Sequence, residues 1–155
     1  MFWPRQVMVM VCGAVLGLGI GACGSAPEEN SGGDAYRNEA QPMPLDEWVT
    51  GELDLDSGDT TDWKAVDVDA AGKLIVELKA DKKSAVVNVG VFDKYGLALG
   101  YGTRKSGSDV VAVPVKAKVE GRYFVRIVHK DGDKTAYSVR AVLGDSGGGD
   151  AVPDL

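Results

Sequence analysis

An acidic stretch between residues 54 and 62 carries the side chains best suited to bind a cation. Four of its nine residues are aspartates: Asp54, Asp56, Asp59 and Asp62. Carboxylates are hard oxygen ligands of the kind that Ca²⁺ prefers. The spacing is not that of an EF-hand, because Ala65 stands where the bidentate glutamate would be. The same aspartates would also cap backbone amides in a solvated turn, and the sequence favours that simpler role.

The chain offers little material for catalysis. His129 is the only histidine, and it stands beside a predicted hairpin rather than near a candidate nucleophile. The sequence contains no Gly-x-Ser-x-Gly motif, which a serine hydrolase of the common kind would carry. Many acids are present, but spacing alone cannot pair two of them across a cleft. We therefore expect a protein that is not an enzyme and has no certain cofactor, with Ca²⁺ as the candidate ion.

Three aromatic residues are candidates for contact with a ligand: Tyr95, Tyr101 and Phe124. Aromatic rings stack on sugars and contact protein partners. Phe124 alternates away from Tyr123, so it is expected on the outside of its strand, exposed or covered by the N-terminal segment. The alternative is that these rings only fill the outer surface of a strand.

The N-terminus has the pattern of an export signal. An apolar run over residues 7–20 follows a short polar start with one positive charge, Arg5. The run has the length of a signal-peptide core and is short for a membrane-spanning helix. It ends in Ile-Gly-Ala-Cys at residues 20–23, which resembles a bacterial lipobox. The resemblance implies cleavage between Ala22 and Cys23 and lipid attachment, palmitate included, at Cys23. An ordinary secretory signal and an uncleaved helix are the alternatives.

The residue after the lipobox bears on location. An aspartate there often marks lipoproteins that stay in the inner membrane, whereas this chain has Gly24. The resemblance therefore implies a lipid anchor in the bacterial outer membrane, with the protein facing the periplasm or the exterior. Cys12 would leave with the signal, so the mature chain would have no thiol free for a disulfide.

Composition divides the chain into four segments. Residues 1–22 form the signal peptide. Residues 23–44 hold the lipidated cysteine and a linker rich in Gly, Ser, Pro and acids, which we expect to be flexible with a reach of roughly 25 Å. Residues 45–143 carry the folded domain, and residues 144–155 form a glycine-rich tail that we expect to be flexible.

The central segment is composed of short β-branched runs separated by Gly and Asp. None shows an apolar stripe at helical spacing beyond two turns. The runs are 48–55, 63–68, 73–79, 86–92, 97–101, 110–115, 123–128 and 137–142. This pattern predicts an all-β fold, an antiparallel β-sandwich or jelly roll of seven to eight strands. Pro114 predicts an edge strand or a strand end, because proline cannot donate to a β-ladder.

Five stretches share their order and spacing with a known domain. They are 58–63, 71–76, 89–96, 121–127, which contains a Gly-x-Tyr entry to a strand, and 136–139. Together they resemble the bacterial pre-peptidase C-terminal (PPC) domain over about residues 51–142. The resemblance implies a jelly-roll sandwich that serves exported enzymes as a non-catalytic binding or targeting module. Some members bind collagen or polysaccharide, and some bind calcium near the N-terminal edge, where Asp59 and Asp62 match best. No peptidase accompanies the module here.

The net charge of −6 argues against nucleic acid as a partner, because phosphate binding needs clustered cations. We expect a membrane-anchored lipoprotein that presents a β-sandwich binding or targeting module to an unknown protein or glycan of the bacterial envelope. The alternative is a structural or assembly lipoprotein of envelope or secretion machinery, which would act by pairing an edge strand with another chain.

Overall fold

The computed structural model describes residues 32–144 of the chain. Two 3₁₀ turns, Gly32–Asp34 and Arg37–Glu39, precede nine strands. The strands are β1 Gln41–Pro42, β2 Val49–Leu53, β3 Thr61–Val68, β4 Gly72–Ala80, β5 Val86–Phe92, β6 Ala98–Arg104, β7 Val110–Ala117, β8 Gly121–Asp131 and β9 Thr135–Gly144. The predicted signal peptide, Cys23 and residues 145–155 lie outside the described part. Within residues 32–144, no helix is both long and apolar enough to cross a bilayer.

The strands form two sheets packed face to face. One sheet has the order β1-β3-β8-β5-β6 and the other β2-β9-β4-β7. The pairs are antiparallel except for the short parallel pair of β1 with β3. Strands β2 to β9 follow the order of a jelly roll. The predicted all-β sandwich is confirmed, with the two-residue β1 as an added strand. Pro114 lies on β7, which is an edge strand as predicted.

Alternating side chains build the core between the sheets. Strand β5 and its neighbour β8 in the same sheet direct alternate side chains inward, and β4 of the opposite sheet faces them with the same period. Each such aliphatic side chain contributes about 1.5–3 kcal/mol when it is fully removed from water. The fully buried residues on these three strands are Leu74, Val76, Leu78, Val87, Val89, Val91, Val125 and Ile127.

The segment before β2 differs from the expected flexible linker, because its described part lies against the sandwich. Met43 is 2% exposed and belongs to the core, and its backbone N–H donates to the Ala65 carbonyl over 2.8 Å. Nearer the N-terminus, the Asp34 carboxylate lies 2.7 Å from the Lys64 ammonium of β3. Two buried apolar side chains, Ala35 and Met43, and one ion pair therefore hold residues 32–44 on the domain, despite their polar composition.

Substitution of Met43 distinguishes a packed segment from a linker. Met43→Ala is expected to lower the free energy of unfolding by about 2–5 kcal/mol, because it leaves a cavity in the core. Urea denaturation measures this change. Gln41→Ala is the matched control from the same segment: the Gln41 side chain is exposed, so its loss should change stability by less than about 0.5 kcal/mol. Equal, small effects of both substitutions would contradict the structure.

Candidate functional site

A groove of about 610 Å³ lies on the outer face of the five-stranded sheet. Its floor is formed by β3, β8, β5 and β6, and residues of the N-terminal segment line it as well. The lining residues are Ala35, Tyr36, Arg37, Thr60, Thr61, Trp63, Asn88, Val89, Gly90, Tyr101, Arg126, Val128 and Lys130. The volume is in the range of small-ligand sites.

The floor of the groove is one row of residues in register across four strands. Trp63 of β3 pairs with Arg126 of β8, Arg126 pairs with Gly90 of β5, and Gly90 pairs with Tyr101 of β6. Paired residues on adjacent strands project from the same face of a sheet. An aromatic ring therefore stands at each end of the row, with a guanidinium between them.

Gly90 allows the aromatic rings of Phe92 and Tyr101 to contact each other. A Cβ at position 90 would lie 2.9 Å from both Phe92 Cε2 and Tyr101 Cε1, so any other residue would push the rings apart. Phe92 and Tyr101 meet edge to face at 5.8 Å between centroids, and Phe92 contacts Trp63 at 5.3 Å. Such contacts favour a fixed ring geometry. The Arg126 guanidinium lies over the rings of Trp63 and Phe92, 5.7 Å from the Trp63 centroid and 5.3 Å from the Phe92 centroid.

The groove is positively charged in a chain whose net charge is −6. Its lining contains three cations, Arg37, Arg126 and Lys130, and no carboxylate. Within residues 32–144, none of the three forms an ion pair. These charges are therefore available to an anionic ligand, and the neighbouring rings offer apolar faces to the same ligand.

The three predicted contact residues do not form one site. Tyr101 is 63% exposed and lies in the groove. Phe124 faces outward on β8, as alternation predicts, but Arg37 of the N-terminal segment lies over its ring at 5.5 Å. Tyr95 is 79% exposed on the β5–β6 turn and lines a different cavity.

The four aspartates proposed as calcium ligands do not converge either. Within residues 32–144, no three His, Cys, Asp or Glu side chains group as metal ligands would. Asp54 Oδ1 accepts from the Asp56 backbone N–H over 3.0 Å, which is the capping role that the sequence favoured. The Lys134 ammonium lies 3.8 Å from Asp54. Asp59 pairs with Asp54 through the backbone, and Asp62 points into the sandwich. The described residues do not fit a calcium site.

Asp62 instead belongs to a buried polar cluster. It is 5% exposed, accepts a hydrogen bond from the Tyr137 hydroxyl and lies 3.9 Å from the Lys64 ammonium. The pKa of Asp62 is raised to about 6, mainly by burial and also by nearby Asp34, while the hydrogen bond from Tyr137 and the charge of Lys64 lower it. Burial and the adjacent carboxylate of Asp62 also raise the pKa of Tyr137. Removal of charge from water explains both shifts.

His129 lies on the inner face, opposite Val87 of β5. The side chain is 2% exposed, and neither ring nitrogen has a hydrogen-bond partner within the described residues. Burial lowers the pKa of His129, which keeps the ring neutral at pH 7. The imidazole is thus on the opposite side of the sheet from the groove and cannot exchange a proton with a ligand bound there.

Sequence reasoning missed most of the groove. Residue type and spacing do not indicate Trp63, Gly90 or Arg126 as site residues, although the alternation of side chains along a strand is a signal for two of them. If Val66 and Val68 face the core, alternation puts Trp63 outside, and the same rule puts Arg126 outside with Phe124. The cross-strand register that makes them neighbours is not visible in the sequence.

Comparisons with known proteins show the fold. No family profile matches the sequence, and no curated protein is similar to it. Among solved structures, the chain resembles the pre-peptidase C-terminal domain of a collagenase from Bacillus anthracis, with a TM-score of 0.56 and 17% identity over 66% of this chain and 93% of that one. It also resembles CorA, a surface-associated copper-binding protein of Methylomicrobium album BG8, with a TM-score of 0.55 and 7% identity over 68% and 98% of the chains. The chain thus shares the β-sandwich fold of a PPC domain.

The raised pKa of Asp62 predicts a pH dependence that Asp62→Asn should remove. Between pH 4 and 6 the folded state keeps a proton that the unfolded state has lost, so the contribution of Asp62 to the free energy of unfolding falls as pH rises through this window. Relative to the wild type, Asp62→Asn should therefore gain about 1–3 kcal/mol between pH 4 and 7.

Urea denaturation at several pH values measures this difference. Asp56→Asn is the control for the substitution itself, since the Asp56 side chain is exposed and lies outside the buried cluster. If Asp62→Asn and the wild type keep a constant difference from pH 4 to 7, the burial of an ionisable Asp62 is refuted.

Proposed function

We propose that this protein is a non-catalytic lipoprotein that presents a β-sandwich binding module to an acidic oligosaccharide of the bacterial envelope. The observation that carries the proposal is the groove on the five-stranded sheet, where the Trp63 and Tyr101 rings flank Arg126 in one row. Sugar rings present apolar faces that pack on aromatic rings, and sugar carboxylates accept hydrogen bonds from guanidinium groups.

The shape and charge of the groove favour a glycan over a flat protein surface. The volume of the groove, about 610 Å³, accommodates a short chain of sugars. A standard protein interface is instead a broad surface that buries roughly 800 Å² on each partner. Asn88 and Thr61 add uncharged polar groups at the rim, which suit sugar hydroxyls. The three cations confer a preference for a ligand that carries carboxylates or similar anions.

Edge-strand pairing is less well supported as the function. β7, an edge of the four-stranded sheet, carries Pro114 and has Lys116 exposed near its end. Both features protect edge strands from pairing with another chain. The copper binding named for CorA is not favoured for this chain either, because the described residues show no group of metal ligands.

The second part of the proposed function is attachment of the protein to the membrane through Cys23. The lipobox-like motif at residues 20–23 supports acylation of Cys23 and an anchor in the outer membrane, because several acyl chains hold a protein stably on a bilayer. The protein then acts where envelope polysaccharides are present. The PPC-like fold is consistent with a module that binds rather than cleaves its ligand.

Substitutions in the groove test the ligand class. Calorimetric titration with an oligosaccharide of uronic acids should show binding that falls about 10- to 100-fold in Arg126→Ala, since a hydrogen bond between charged groups contributes about 1.5–3 kcal/mol. The neutral oligosaccharide of the same length should bind more weakly to the wild type. Binding of the acidic oligosaccharide should also weaken as salt concentration rises.

Arg140→Ala is the matched control. Arg140 also lies over a tryptophan, 4.7 Å from the Trp48 centroid, but it belongs to the other sheet and lies outside the groove. Its replacement should leave binding unchanged. If Arg126→Ala and Arg140→Ala have the same affinity as the wild type, or if no acidic glycan binds, the proposed ligand class is wrong.

A further inference from the structure

A second surface lies at one end of the sandwich and has a different character. Here the β5–β6 turn and the β7–β8 turn lie side by side around a small cavity of about 220 Å³. Three large apolar side chains are exposed on it: Tyr95 at 79%, Leu97 at 65% and Val119 at 56%. We call these residues, together with Lys94, Lys116 and Lys118 around the same cavity, the tip patch. Exposed apolar side chains that are grouped and rimmed by polar residues are typical of sites that contact a protein or a membrane.

The turn that carries Tyr95 and Leu97 is built to hold them outward. The Asp93 carboxylate accepts hydrogen bonds from the backbone N–H groups of both residues, each over 2.9 Å. Between them, Gly96 has a φ of 89°, in the left-handed region that glycine adopts without strain. The two side chains are therefore carried by a fixed turn, so that little backbone conformational entropy is lost when they bind a partner surface.

The charges around the patch favour an anionic surface. The three lysines of the tip patch form no ion pair within residues 32–144. Of the other charged residues at the cavity, Arg122 is paired with Asp67, Asp93 is engaged by the turn, and Glu120 is exposed on the β7–β8 turn. An apolar centre within a ring of lysines is the arrangement by which proteins lie on anionic lipid.

The N-terminal chain runs close to this end of the sandwich. The Arg37 guanidinium lies against Gly96, where a Cβ would overlap Arg37 Nη1. Gly32 is five residues from Arg37, and Cys23 is nine residues from Gly32. Even fully extended, nine residues span only about 30 Å. Because residues 32–44 are packed on the domain, an acylated Cys23 would hold the domain within one domain diameter of the lipid.

We propose that the tip patch docks on the anionic phospholipid surface in which Cys23 is anchored. Tyr95, Leu97 and Val119 enter the headgroup region, and the three lysines contact lipid phosphates. This inference rests on the lipid anchor in the proposed function, which supplies the high local concentration that so small a patch requires. Tyr101 stands four residues along β6 from Leu97, about 13 Å from the turn, so docking would hold the groove just above the lipid and open to the side.

A single fluorescent label on the acylated full chain tests the docking. Leu97→Cys, labelled with an environment-sensitive dye and reconstituted in vesicles with 30% phosphatidylglycerol, should show a blue-shifted and brighter emission than in vesicles of phosphatidylcholine alone. Ser106→Cys is the matched control, because Ser106 is exposed on the β6–β7 turn at the opposite end of the sandwich; its emission should not change. Replacing Lys94, Lys116 and Lys118 with Gln should lower the docking equilibrium constant about fivefold for each lysine.

The measurements distinguish failure of the docking from failure of the lipid anchor. Intact mass is measured first, and a mature chain without acyl groups overturns the anchor and the docking together. With an acylated chain, equal emission at positions 97 and 106, or equal shifts in neutral and anionic vesicles, overturns the docking alone. A blue shift at position 97 before vesicles are added, unaltered by them, also overturns it, because residues 145–155 or a second copy would then cover the patch.

Discussion

Two charged side chains of β3, Asp62 and Lys64, point into the sandwich at its edge, and the structure must satisfy both. They face inward because Val66 and Val68 belong to the core and alternation carries the same side of the strand to positions 64 and 62. A buried charge without a partner is costly. The Tyr137 hydroxyl of the opposite sheet donates to Asp62, and Asp34 lies 2.7 Å from Lys64.

This requirement connects the edge of the core to the rest of the molecule. Because Asp34 pairs with Lys64, the N-terminal segment lies along the five-stranded sheet instead of leaving the domain at residue 44. Ala35, Tyr36 and Arg37 then become part of the groove lining. The same packing leaves eight residues between Gly32 and Cys23, which brings the domain close to the predicted anchor. The geometry of the groove and of the membrane anchor thus depends on this ion pair together with the burial of Ala35 and Met43.

The sequence predicted what local pattern controls and missed what register controls. Alternating apolar residues, such as the valines of β5, predicted the strands and the sandwich. Pro114 predicted the edge strand β7. Arg104 shows the limit, because arginine is rarely buried and nothing near it in the sequence indicates burial. The guanidinium is instead 1% exposed and donates to backbone carbonyls of residues 80–85. Asp34 is distant in sequence from Lys64, and Trp63 is distant from Arg126. Nothing in the local sequence of either pair indicates which residue is the partner.

A double-mutant cycle on Asp34 and Lys64 tests the central claim most directly. The free energy of unfolding is measured for the wild type, Asp34→Asn, Lys64→Met and the double variant. Both side chains are largely buried, at 14% and 8% exposure, so the account predicts a coupling energy of about 1.5–3 kcal/mol for their charged hydrogen bond. Effects that add within about 0.5 kcal/mol would show that the pair is not formed, and the N-terminal segment would then not be held on the sandwich by this contact.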